Sequence, residues 1–267
     1  MIAEVAFGLA AAGSAAMALA YRRRAALYGT LERRIEAITR TVRIDTGTMP
    51  ARRALPSFGT RLARIPDAFP APTIDTLRDQ ALDLVRPERS YIPTHKKGGT
   101  VAYESLFAKA PAIVALYHAP EMRELISHVV GEPVRPTPIN DQSSLSVLFY
   151  EKPGDHIGWH FDHNFYRGRH FTVLLPVINE GSGPNGLSHA RLQAKIDGRP
   201  TDIETPPNTL IVFEGARVHH KVTPILDGER RLVISMTYCT DPRANLVQGA
   251  ARRIKDVAFF GPRALWT

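Results

Sequence analysis

The stretch "GWHFDHNF", residues 158–165, sets one Trp, two His and one Asp within eight positions, directly after the turn-like "EKPGDHI". Titratable groups this dense are costly to bury unless something organises them. On an extended strand alternate side chains share a face. His160 and Asp162 can therefore point at one ion, while Trp159 faces away and packs in the core. A neutral imidazole and a carboxylate suit a divalent transition metal, and two His with one carboxylate on one side of the ion suit non-haem Fe(II). His-x-Asp is a short motif that chance also produces in a chain with ten His, so the reading needs a third ligand from elsewhere.

"GARVHHKVTP" (215–224) offers two candidates. Alternation puts Val218, His220 and Val222 on one face and Arg217, His219 and Lys221 on the other. The apolar face should look inward, which makes His220 the ligand candidate and His219 the solvated one. An anionic co-substrate would need a cation on a neighbouring strand, and Arg230 and Arg231 stand just after the turn "LDGE". Arg grips a carboxylate with a planar, bidentate fork. Arg231 shares its face with Val233, Ser235, Thr237 and Cys239, which suits a wet pocket. Arg230 shares its face with Leu232, Ile234 and Met236, which suits a dry core.

Around these motifs the chain reads as mainly β with flanking helices. From about residue 143 the apolar period becomes short and strand-like: "SSLSVLFYE", "HFTVLLPVIN", "NTLIVFEG", "ARVHHKV" and "RRLVISMTYCT", separated by Gly, Pro, Asn and Asp. Many short strands with turn punctuation imply a sandwich or barrel. Helical patterns precede them near 73–86 and 111–130, and 27–44 reads as a charged amphipathic helix. Prolines at 50, 56, 66, 70 and 72 mark a linker or an extended wrap. The segment "HKKGGTVAYESL" (95–106) could close over the barrel mouth on its Gly98-Gly99 pair, or be a plain solvated loop.

"HFD…HHKVTP…GERRL" resembles the iron(II)/2-oxoglutarate-dependent oxygenases, over roughly residues 90–240. His-x-Val-x-Pro around His220 and a Gly ahead of the Arg resemble the prolyl-hydroxylase-like branch. The resemblance implies a double-stranded β-helix core, with His160, Asp162 and His220 as ligands of Fe(II) and with 2-oxoglutarate and O2 as co-substrates. It implies that Arg231 or Arg230 holds the distal carboxylate of 2-oxoglutarate. Family spacing favours Arg230 and alternation favours Arg231. Tyr150, ten residues before His160, takes the place of a Tyr that hydrogen-bonds 2-oxoglutarate in that branch. A Tyr that helps hold the distal carboxylate there is replaced here by Pro176, so Thr172 inherits that task. The layout of "GGT", "YEKPGD", "GWHFD", "FEGA" and "MTYCTDP" also resembles small oxygenases acting on free amino acids, some of whose relatives are halogenases. In those halogenases Gly or Ala replaces the carboxylate of the triad, whereas this chain has Asp162. The resemblance therefore implies hydroxylation of a C–H bond in a small molecule or peptide side chain. His163, Asn164, Tyr166 and Arg167, just after the metal motif, are candidate substrate contacts.

The formal net charge of +8 first suggests a polyanionic partner. Its placement argues otherwise. Residues 1–64 hold 11 Arg against 4 acidic residues, while the remainder holds 23 basic and 22 acidic residues. The body is nearly neutral, which disfavours a nucleic-acid demethylase on the same scaffold. A non-catalytic metal-binding β-barrel is the other alternative. Residues 2–20 are almost wholly apolar and are followed by "YRRR"; nineteen helical residues span about 28 Å, roughly one hydrocarbon thickness. The expected organisation is a membrane anchor over 1–21, a basic helix and Pro-rich linker over 22–72, and an oxygenase domain over 73–267, with the catalytic part in the cytoplasm. An Ala-rich helix packed on the protein itself and an organelle-targeting segment are the competing readings of 2–20. One cysteine, Cys239, rules out an internal disulfide. Nothing in the sequence sets an oligomeric state.

Overall fold

The computed structural model describes residues 2–47, 55–84, 88–92 and 96–260; within these, the side chains of residues 2–18, 20, 21, 24, 88–92 and 258–260 lie outside the description. Among the described residues six α-helices flank a single antiparallel sheet of twelve strands, four of the helices being inserted between its early strands. The helices are α1 (Ile2–Thr41), α2 (Ala71–Leu82), α3 (Tyr103–Lys109), α4 (Pro111–His118), α5 (Pro120–Val130) and α6 (Leu246–Phe260). The strands are β1 (Leu62–Ile65), β2 (Glu88–Ile92), β3 (Lys96–Val101), β4 (Arg135–Pro136), β5 (Leu145–Tyr150), β6 (His156–His160), β7 (His170–Glu180), β8 (Leu192–Ile196), β9 (Arg199–Ile203), β10 (Leu210–Phe213), β11 (His220–Val222) and β12 (Arg230–Cys239).

Their order across the sheet is β1-β10-β7-β12-β5-β3-β6-β11-β8-β9. β3 pairs with β5 through its second half and with β6 through its first, so the sheet folds over on itself there. The result is the double-stranded β-helix that the strand pattern implied. One apolar core, containing Leu232, Ile234, Met236, Leu77, Ile113 and Leu116, lies between the outer face of the large sheet and the helices. A second core, containing Tyr150, Leu174, Phe213, Val218, Val222 and Val233, fills the interior of the β-helix. β7 is buried at every position but its last, which explains why "HFTVLLPVIN" is a continuous apolar run and not an alternation. Pro176 can sit in this central strand because the β7–β12 register shifts between Leu232 and Val233, leaving Val177 as the extra residue of a bulge.

Several expectations are corrected. Of the segment 95–106, residue 95 lies outside the described residues, and 96–106 form neither a lid nor a solvated loop. Residues 96–101 are strand β3, almost wholly buried, and 103–109 are α3, whose Tyr103, Leu106 and Phe107 enter the core. A Cβ on Gly98 would stand 3.3 Å from the Phe149 carbonyl oxygen, so Gly98 serves close strand approach. The helix over 27–44 belongs to one continuous helix, α1, that starts at Ile2 and is not broken at residue 21. Its second half packs on the main core through buried Leu31, with Leu27, Tyr28, Ile35 and Ile38 beside it. β1 arises inside the Pro-rich stretch and pairs with β10, so the sheet begins ahead of residue 73. The membrane reading of 2–20 rests on side chains outside the described residues, and among the described residues no helix is long and apolar enough to cross a membrane.

Candidate metal centre and active-site pocket

β6 and β11 are antiparallel neighbours, and His160 and His220 stand directly opposite each other in the ladder. Their rings lie 4.2 Å apart between centroids. Asp162 follows β6 by two residues, and its amide donates to the Gly215 carbonyl at 3.0 Å, which turns the chain back toward β11. The three side chains converge, with one ligand atom from each within 4.8 Å of the others. The Nε2 atoms of His160 and His220 are 3.5 and 3.7 Å from Asp162 Oδ1.

Tautomer and charge suit a metal. His160 Nδ1 lies 2.8 Å from the Gly158 carbonyl oxygen, and His220 Nδ1 lies 2.9 Å from that of Val218. A carbonyl only accepts, so each Nδ1 carries the proton and each Nε2 keeps its lone pair for an ion. Burial lowers the pKa of His220 and favours its neutral, ligating form. Burial also acts to lower His160, but the Asp162 carboxylate beside it outweighs this and raises it. Burial alone would raise Asp162; His220, His160 and the Thr172 hydroxyl hold it far below the usual carboxylate range. It is an anion at any physiological pH.

Thr172 Oγ1 donates to Asp162 Oδ2 at 2.5 Å. Thr172 was expected to help hold the distal carboxylate of 2-oxoglutarate; its hydroxyl in this structure orients the Asp162 carboxylate. Gly215 completes that support. A Cβ at this position would lie 2.3 Å from Asp162 Oδ2, 2.7 Å from Asp162 Cβ and 2.8 Å from Thr172 Oγ1, so no other residue fits without moving the carboxylate. The sequence reading quoted "FEGA" but assigned Gly215 no role; a Gly entering the ligand strand was the available signal.

The two arginines separate cleanly. Arg230 is exposed and stands 3.5 Å from Glu151 in a surface ion pair. Arg231 is 1 % exposed, inside the β-helix, on the face that carries Val233, Ser235 and Thr237. Its guanidinium carbon lies 5.2 Å from the centroid of the Tyr150 ring. Arg231 Nε, Arg231 Nη2 and Tyr150 Oη are buried without a well-formed hydrogen bond among the described residues, although the Tyr150 oxygen lies close enough to support the guanidinium electrostatically. Burial lowers the Arg231 pKa, and no carboxylate compensates. Burial likewise raises the Tyr150 phenol to about 12, so it remains a donor. Unpaired buried donors around an unneutralised cation are the counterpart of an anionic ligand with planar oxygens.

Beside the triad lies a cavity of about 190 Å³, lined among others by Lys96, Thr100, Asp141, Ser146, His170, Ser235, Thr237 and Lys255. Lys96 donates to Thr100 at 2.8 Å, and burial lowers its pKa to about 8. His170 starts β7 with its Nδ1 buried and unpartnered, and burial lowers its pKa. Neither was singled out in the sequence. Of the residues after the metal motif, Tyr166 donates to Asp141 at 2.6 Å and His163 lines the cavity, while Asn164 only braces its own turn. Arg167 is absent from the cavity lining, and its backbone amide donates to the Arg243 carbonyl. Trp159 does face away from His160, but it is not core: it packs at 5.1 Å on His219, with Lys195 and Lys221 over its ring, on the half-exposed outer face. A second cavity of about 170 Å³, between Asn179, Leu187 and Asp202, holds none of the ligand candidates.

Solved structures share this architecture. A prolyl hydroxylase from Trichoplax adhaerens, in complex with a hypoxia-inducible-factor peptide, superposes with a TM-score of 0.55 at 16% identity, covering 68% of this chain and 84% of its own. The α-ketoglutarate-dependent carbocyclase SnoK of nogalamycin biosynthesis gives 0.56 at 12%, covering 78% and 94%. A 2-oxoglutarate-Fe(II) oxygenase-family oxidoreductase from Burkholderia pseudomallei gives 0.51 at 18%, covering 76% and 98%. No curated protein matches the sequence. The fold is that of these iron(II)/2-oxoglutarate-dependent enzymes, and the His-Asp-His donor set is compatible with theirs. The profile of the Halogenase D family matches residues 61–253, and the chain belongs to that family.

Proposed function

We propose that this protein is a hydroxylase of a small polar molecule, with a free amino acid as the leading candidate, using Fe(II), 2-oxoglutarate and O2. The observation that carries the choice of hydroxylation over halogenation is Asp162. Its carboxylate, fixed by Thr172 and by the absence of a side chain at Gly215, stands where a halide would have to bind. A tethered anion two residues from His160 opposes that exchange.

His160 Nε2, Asp162 Oδ1 and His220 Nε2 would hold the metal through one face, leaving the opposite face for 2-oxoglutarate and O2. Arg231 and the Tyr150 hydroxyl would grip the distal carboxylate of 2-oxoglutarate, and burial of both excludes competing water. Once bound, the iron and its co-substrates supply the oxidising power that breaks the C–H bond, with succinate and CO2 as by-products. The protein's share is positioning: the cavity beside the triad mixes Lys96, Lys255 and Asp141 with hydroxyls, which suits a small zwitterionic substrate more than an apolar or a polyanionic one. A cytoplasmic setting remains a proposal resting on "YRRR".

Anaerobic protein with Fe(II) should develop a visible charge-transfer band on addition of 2-oxoglutarate. A metabolite screen in abundant chloride should then give a product heavier by one oxygen. A chlorinated product from the unmodified chain would favour the second reading, that of a halogenase, which the family name supports. Metal binding with no succinate from any substrate would instead point to a non-catalytic barrel.

A further inference from the structure

Helix α6 meets the rest of the protein with its polar side. Arg252 and Asp256 are buried, while Val247 and Ile254, on the opposite side, are 77 % and 73 % exposed. No described residue of α6 belongs to either apolar core. The helix is held by charged contacts that reach the active-site cavity. Lys255 Nζ donates to Asp141 Oδ1 at 3.0 Å and to Ser143 Oγ at 2.8 Å, pairs with Asp256 at 3.0 Å, and lies 5.4 Å from the centroid of the Phe165 ring. Arg252 Nη1 donates to Asn140 at 2.7 Å. A carboxylate, a hydroxyl and an aromatic face around one ammonium are the elements that recognise a primary amine. Phe165 belongs to the segment that follows Asp162, so this subsite adjoins the iron motif in sequence as well as in the cavity wall. Lys255 lies just beyond the residues matched to the family, 61–253.

We propose that Asp141, Ser143 and Phe165 form a primary-ammonium subsite in the active-site cavity, and that Lys255 of α6 occupies it in cis, latching α6 over the cavity as a displaceable lid. The reading of this cavity as the substrate pocket underlies the proposal. A helix whose described side chains attach by charged hydrogen bonds, none of them in an apolar core, can be released by a competitor offering the same bonds. Asp141 gains from any such occupant. Burial alone would raise its carboxyl, yet Lys255 and the Tyr166 hydroxyl hold it below the ordinary carboxylate range. An empty subsite would leave that buried anion without its strongest partner.

The test uses the full-length chain without metal, so that its outcome is independent of whether the enzyme hydroxylates anything. Lys255→Ala and Lys255→Met should both speed hydrogen exchange across residues 246–260, by about tenfold or more. Methylammonium chloride at millimolar concentration should slow that exchange again and raise the melting temperature in Lys255→Ala, where the side-chain volume is vacated. It should do neither in Lys255→Met, where the stem still fills the channel, and tetramethylammonium, which has no N–H, should rescue neither variant. Unchanged exchange over α6 in the Met variant, which preserves packing, would show that Lys255 does not latch the helix. Equal rescue by the two amines, or no rescue of the Ala variant, would overturn the ammonium subsite.

Discussion

Arg231→Met separates a ligand-binding cation from a structural one. Methionine keeps an unbranched apolar stem in the slot beside Tyr150 and removes the guanidinium. In the unliganded protein this charge is buried with Nε and Nη2 unpartnered, so its removal relieves a desolvation cost and the melting temperature should hold or rise. With 2-oxoglutarate bound, the same change deletes a bidentate charge-assisted contact. Two such hydrogen bonds at roughly 1.5–3 kcal/mol each amount to about 3–6 kcal/mol, or a 10²–10⁴-fold weaker co-substrate. Calorimetric titration of 2-oxoglutarate into metal-loaded anaerobic protein measures one quantity and thermal unfolding of the metal-free chain measures the other. Arg230→Ala is the internal control: its exposed pair with Glu151 at 3.5 Å should cost less than about 1 kcal/mol and leave 2-oxoglutarate affinity intact. A Met variant with a sharply lowered melting temperature and near-normal affinity would refute the assignment and make Arg231 a structural residue.

Thr172→Val removes the hydroxyl that orients Asp162 without changing side-chain shape, and metal affinity should fall by about 10–100-fold in an equilibrium titration. Gly215→Ala should leave the far-ultraviolet circular dichroism unaltered but displace Asp162, so that metal no longer raises the melting temperature. Glu229 accepts hydrogen bonds from the backbone of Ser182, His189 and Leu226 and from the His189 ring. Burial would raise its carboxyl, but these donors hold it near 2 against an ordinary 4.5. Because the folded-state value is the lower one, its contribution is complete above about 4.5 and drains away as pH falls toward 2. Stability measured across that window should lose part of its acid sensitivity in Glu229→Gln.

The convergence of His160, Asp162 and His220 was legible in the sequence because strand periodicity is local. For these three, alternation and an inward apolar face sufficed, and the same argument put Arg231 on the wet-pocket face. It also put Arg230 on a dry-core face, whereas Arg230, at the very start of β12, is exposed. Neighbours supplied by distant elements were not legible. Lys255 reaches Asp141 across 114 positions of sequence, and no local pattern marks either as a cavity residue. β3 was mistaken for a loop because "KKGG" has neither β-branched residues nor alternation. It is a strand because β2, β5 and β6 all use it as a partner, an instance of tertiary context overriding propensity. β1 hid for a similar reason among prolines. The hydrogen bond from Thr172 to Asp162, ten positions earlier in the chain, was likewise not legible.

The opposition of His160 and His220 across the β6–β11 ladder makes the iron a proofreader of strand alignment. A slip of one residue in β11 would carry His220 to the outer surface and bring His219 or Lys221 inward. His219 would arrive from the face where Trp159 now holds it, and Lys221 offers an ammonium that repels the ion. β11 is only three residues long, too short for backbone pairing alone to specify its register firmly. An ion held between His160 and His220 would favour the aligned register over a slipped one, so metal-loaded protein should show slower hydrogen exchange across β6 and β11 than the metal-free chain.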